Sequence, residues 1–258
     1  METVLEAAAC LNCGAELAGR WCSQCGQRAA TPRPTLHELL HEATHELAHF
    51  DGKILRTIAL LLFKPGALTV EFLEGKRVRS VTPIRIYLLC SLLFFGTLSL
   101  LPARKLNFKV TGADAQMLQA AEKVQKDPSL LVHSFQSAFP KAMFILMPLF
   151  ALIVFAFYWS AEKMYVPHFY FAVHYHAFAF VLLTLFEALS PLRFLLIARI
   201  LKLALLLVLF VYLGMALRRV YGGKRWLTAA KTVAILGIYG GLVLVAMGLI
   251  ALLTLRRL

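Results

Sequence analysis

Ala142-Met143-Phe144-Ile145-Leu146-Met147-Pro148-Leu149-Phe150-Ala151-Leu152-Ile153-Val154-Phe155-Ala156-Phe157-Tyr158 runs without one charged side chain. A helix needs roughly 17 to 25 mostly apolar residues to cross a hydrocarbon core about 30 Å thick. This stretch, within a span near 141–160, is long enough. Four more candidates lie near 84–101, 170–189, 194–217 and 229–253. Of these, only the spans at 170–189 and 194–217 carry several ionisable groups. The chain is 60% hydrophobic, whereas soluble domains are about half apolar. Backbone polar groups in lipid must be satisfied within their own segment, so the spans are helices. The predicted fold is an all-α membrane protein of about five transmembrane helices, with a small N-terminal four-cysteine zinc ribbon and an interfacial amphipathic helix.

The ribbon is read from Cys10-Leu11-Asn12-Cys13 and Cys22-Ser23-Gln24-Cys25. Each two-residue spacer lets a tight turn aim both sulfurs at one point, and zinc takes four soft donors in a tetrahedron. Gly14 and Gly26 follow the knuckles where a positive φ or close backbone approach is needed. Cys10, Cys13, Cys22 and Cys25 are therefore expected to hold a structural zinc ion, closed and non-catalytic. Disulfides would require an oxidising compartment. The stretch 1–9 is acidic, with Glu2 and Glu6 and no basic region, so a cytoplasmic N-terminus is expected. Cys90, inside the first span, reads as a small hydrophobe.

The net charge of +13 follows topology, and no nucleic acid is expected as a partner. Lys76, Arg77, Arg79 and Arg85 flank the first span; Arg218, Arg219, Lys224, Arg225 and Lys231 crowd the connection between the fourth and fifth. Both clusters belong on the cytoplasmic side of a bacterial inner membrane, with the C-terminus outside. Arg104, Lys105 and Lys109 in the 102–140 loop oppose that orientation. Lys76, Arg77 and Arg79 are expected to contact anionic lipid headgroups.

Three domains follow: ribbon 1–28, linker and interfacial helical collar 29–83, and transmembrane domain 84–258. Within the collar, Thr35-Leu36-His37-Glu38 fits a capping box. Ile54 to Phe63, too short to span, reads as an interfacial or re-entrant helix, and Ala67 to Leu73 as a second short one. His37, His41, His45 and His49, with Glu38, Glu42 and Glu46, make three overlapping H-E-x-x-H matches. One four-residue period generates all three, and no third ligand accompanies them. Gly237 and Gly241 form a G-x-x-x-G pair that suits packing within the chain, or a second copy.

A quieter cluster sits in the third span and beyond: His168, His174, His176 and Glu187, with Arg193, Arg199 and Lys202 in the next segment. Ionisable residues in a span face a bundle interior, a partner or a pathway. At 100° per residue, His174 and His176 point to nearly opposite faces, so they make no two-histidine metal site. His176 and Glu187 share a face but stand roughly 16 Å apart along it. Glu187 is expected to pair with Arg193 or Arg199 across the Ser190-Pro191 turn.

Cys25-Gly26-Gln27, Asp51 with Arg56-Thr57, Lys64-Pro65-Gly66, Glu74-Gly75-Lys76-Arg77, Pro83, His168 with His174 and His176, and Leu217-Arg218-Arg219-Val220-Tyr221-Gly222 occur in this order. In these the chain resembles a bacterial family of zinc-ribbon membrane proteins known only as a domain of unknown function. The resemblance spans nearly the whole chain and implies a cytosolic ribbon joined to several spans. It brings no activity, substrate or cofactor beyond the zinc. The His37 to His49 ladder is not part of it.

The expected function is non-enzymatic: a ribbon acting as a recognition or assembly module, with a cytosolic protein partner, on a membrane domain. The alternative is a transporter or channel-like protein using the third-span histidines. A membrane metallopeptidase built on the histidine ladder comes third.

Overall fold

The computed structural model describes residues 9–29, 52–100, 115–192 and 196–257. The capping box, Asp51, the His37 to His49 ladder and Arg193 lie outside them. Eight α-helices are described: α1 Lys53–Phe63, α2 Ala67–Leu73, α3 Pro83–Leu100, α4 Ala115–Lys126, α5 Ser129–Tyr158, α6 Tyr165–Ala188, α7 Leu196–Tyr221 and α8 Arg225–Arg257. Among the described residues, β-structure is confined to two isolated bridges in the cysteine region, Ala9 with Glu16 and Trp21 with Arg28. Five helices (α3, α5, α6, α7 and α8) are long and apolar enough to cross a bilayer.

The helix that carries the second span begins well before the apolar stretch. It starts at Ser129, not near 141, because Asp127 Oδ1 accepts the Ser129 N–H at 3.0 Å and starts the first turn. His133, Gln136 and Lys141 dilute the apolar signal without breaking the helix. Gln136 Nε2 then donates to Leu98 O at 3.0 Å, fastening this polar extension to the end of α3. With 30 residues in α5 and 33 in α8, these helices are about 45 and 50 Å long, well beyond a hydrocarbon core of about 30 Å. Past the spans, Leu131 of α5 and Leu255 of α8 pack with Ala120 and Val124 of α4 in a small separate core.

α6 is the hub. It packs against α3, α5, α7 and the short helices α1 and α2. α1 and α2 form a hairpin seated against α6 and α7. Its tip, Lys64-Pro65-Gly66, needs a glycine twice over: Gly66 has φ +77°, and a Cβ there would stand 2.9 Å from Ala216 O. Tyr212 Oη donates to Leu61 O at 2.6 Å and Arg219 Nη1 to Pro65 O at 2.8 Å, so α7 grips both sides of the turn. Tyr212 lies nine residues before the end of α7, about 13 Å inside it. The hairpin is therefore held against the body of the bundle and not only at its rim.

Among the described residues nothing packs on the G-x-x-x-G pair. A Cβ at Gly237 or Gly241 would meet nothing within 4 Å, so no other described helix approaches that face.

Candidate functional site

The two knuckles are near copies. Cys10 N donates to Ala15 O and Cys22 N to Gln27 O, at 2.7 and 2.8 Å; Gly14 N reaches Cys10 O and Gly26 N reaches Cys22 O, at 2.8 and 2.9 Å. Gly14 and Gly26 take φ of +80° and +70°, as their place after each knuckle required. The folding of each turn brings four sulfurs together, all within 4.8 Å of one another. The Cys10–Cys25 and Cys13–Cys22 pairs stand 3.6 and 3.5 Å apart. A tetrahedron with metal–sulfur bonds of about 2.3 Å has edges of about 3.8 Å, so the set could hold a metal ion.

The electrostatics favour a cation at that point. The Cys22 thiol is lowered, first by the Cys25 N–H and then by that of Gln24. Burial raises the Cys25 thiol, but the Gln27 N–H and the Asn12 side chain outweigh it and bring it down to about 6. The Ala15 N–H lowers Cys13, yet its neighbouring thiols and partial burial push it up to about 12. Four sulfurs this close cannot all carry charge unaided; a dication removes the repulsion.

The ribbon is seated on the collar. Gln27, buried, donates from Nε2 to Gly75 O at 2.7 Å and accepts at Oε1 from Arg77 N and Val78 N, at 3.1 and 3.3 Å. Leu11, between Cys10 and Cys13, covers Gly75: with φ +81° there, an added Cβ would lie 2.6 Å from Leu11 Cδ1. From that turn the contacts continue inward. Arg56 forks onto both oxygens of Glu71 at 3.0 Å and reaches Arg79 O and Ser80 Oγ at 3.1 and 2.7 Å. Thr57 Oγ1 accepts from Val81 N at 2.9 Å. Of the expected headgroup residues, Lys76 pairs with Glu74 at 2.6 Å, Arg77 lies 5.3 Å from the Phe72 ring centre, and Arg79 is exposed.

The α6 histidines face different elements, as their spacing required. His174 Nδ1 is hydrogen-bonded with Thr69 Oγ1 of α2 at 3.0 Å. His176 Nδ1 donates to Ala172 O at 2.8 Å, which leaves Nε2 to accept from Tyr239 Oη of α8 at 2.7 Å. His168 Nε2 donates to Glu162 O at 3.0 Å, and its ring stacks on Tyr221 of α7 at 4.9 Å. Tyr221 stacks in turn on Tyr158, which holds Lys231 Nζ 4.2 Å from its ring centre. Near the other end of α6, Ser190 Oγ donates to Glu187 Oε2 at 3.0 Å and accepts from Lys202 Nζ at 2.9 Å. Lys202 thus reaches Glu187 through Ser190, while Arg199 is exposed.

Sequence reasoning singled out the histidines but missed Thr69, Tyr239 and the docking role of Gln27. Only Gln27 and Tyr221 left a trace, as members of the ordered short motifs.

Fold and site together define an all-helical protein of five apolar spans carrying a four-cysteine metal-site candidate. A family model described as "Protein of unknown function (DUF3667)" matches residues 51–95. That stretch contains Arg56-Thr57, Lys64-Pro65-Gly66 and Glu74-Gly75-Lys76-Arg77, the segments that build the hairpin and receive the ribbon. No curated protein and no solved structure matches the chain.

Proposed function

We propose that this is a non-enzymatic protein of the bacterial inner membrane, in which a structural zinc ribbon acts as a cytosolic recognition or assembly module. The observation that carries the reading is the closed set of four sulfurs on a ribbon seated against the collar. Four soft donors in a tetrahedron suit zinc, and they leave no open position for catalysis. Ribbon 1–28, collar 29–83 and membrane domain 84–258 are then the working parts. The end of the bundle that carries Arg218, Lys224 and Arg225 would face the cytoplasm, where thiols stay reduced. Arg79, with Lys76 and Arg77 beside it, would meet anionic headgroups there, at about 1 kcal/mol each. The test compares detergent-extracted full-length protein with a chain lacking residues 1–30 in affinity purification. Partners lost with the ribbon are the expected result; identical partner sets would sink the recognition role.

A transport reading draws on one observation: the buried Nδ1 of His168 has no hydrogen-bond partner among the described residues. A proteoliposome flux lost in His168→Ala, with folding intact, would favour it over the non-enzymatic module.

A further inference from the structure

The two side chains through which the ribbon touches the collar are not independent of the metal site. Leu11 lies inside the first Cys-x-x-Cys and Gln27 two residues beyond Cys25. Their positions are consequences of how the knuckles are folded. Between residues 9 and 29 only turns and two isolated bridges hold the backbone. A segment so short has too little core to fold alone, and metal binding supplies its folding free energy.

The receiving surface is equally particular. The carbonyl of Gly75 and the N–H groups of Arg77 and Val78 face one carboxamide, and Gln27 bonds all three, sharing Arg77 N with Gly75 O, which lies 3.1 Å from it within the turn. A carboxamide has one donor group and one acceptor oxygen, which match this set. The turn links α2 to α3, and α2 is pegged to α6 through Thr69 and His174. What the ribbon grips is therefore a joint of the bundle.

We infer that the ribbon's own ligand is the Gly75–Val78 turn, and that the metal-loaded ribbon is a clamp which lets go when the metal is removed. This rests on the zinc reading above and names the first surface that the proposed recognition module binds. Metal loss unfolds the knuckles, withdraws Leu11 from Gly75 and Gln27 from the turn, and leaves the Val78 amide without its acceptor while Arg77 N keeps Gly75 O.

The test uses the full chain in detergent micelles, with zinc measured per chain and hydrogen exchange followed at the Val78 amide, whose acceptor is Gln27 Oε1. The zinc-loaded protein should protect it. Stripping zinc with a chelator should speed its exchange by about tenfold or more, while amides in the middle of α5 and α6 stay unchanged. Gln27→Ala should speed the same amide yet retain zinc, because Gln27 supplies no ligand. Equal exchange before and after chelation overturns the clamp while leaving zinc binding in place. Slow exchange in Gln27→Ala overturns the contact as drawn. A chain that takes up no zinc at all overturns the zinc reading, and the clamp with it.

Discussion

α6 and α8 are both long enough to cross a bilayer, yet they occupy opposite environments. α6 is the least apolar of the five spans and the most buried, at 67% of its apolar stretch against 11% for α8. In water that ranking would be inverted, since burial rewards apolar surface. In lipid, helices gain nothing by hiding Leu from hydrocarbon, so association falls to close packing and to polar groups that need partners. α6 supplies both. It carries His168, His174 and His176, and small residues such as Ala172 and Ala177 with no exposed surface. α8 turns Leu244, Val245 and Leu249 outward instead.

The contrast can be broken most forcefully on α8. Leu244→Arg puts a charge near the middle of a lipid-facing helix and should cost about 3 kcal/mol of insertion. An unchanged inserted fraction in membranes would mean that this face is covered. On α6 the matching insult is overpacking: Ala172→Leu should lower stability against denaturing detergent by about 1–3 kcal/mol. Val245→Leu on α8 should stay within about 0.5 kcal/mol in the same titration. Tyr239→Phe removes the donor to His176 and should cost only about 0.6 kcal/mol, the usual value for hydrogen bonds between membrane helices. Smallest of all, Gly241→Leu should leave monomer stability within about 0.5 kcal/mol, because its Cβ enters open space. If a second copy packs on that face, the same variant reduces the mass of the detergent complex, which light scattering reads.

Local chemistry was the part legible in the sequence. The spans could be placed because hydropathy is a property of contiguous residues, and the cysteine knuckles because their ligands lie two residues apart. The early start of α5 was not, because Ser129 to Lys141 is too polar to register as a span although it remains helical. Nor were the partners of the α6 histidines. His174 meets a threonine 105 positions away and His176 a tyrosine 63 away. Helical spacing correctly separated the two rings onto different faces, but it carries no information about what lies opposite. The ordered motifs came nearest: Cys25-Gly26-Gln27 touches the Gly75–Val78 turn, and Pro65-Gly66 touches Ala216 and Arg219.

The overhang of α5 and α8 has a practical consequence. Since α4 packs on Leu131 of α5 and Leu255 of α8, the exposed Lys123 and Lys126 mark the end of the bundle built from the start of α5 and the end of α8. A membrane-impermeant amine reagent applied to intact cells would then report which side of the membrane that end faces, and an antibody fragment raised against α4 would give a small membrane protein a visible handle for imaging.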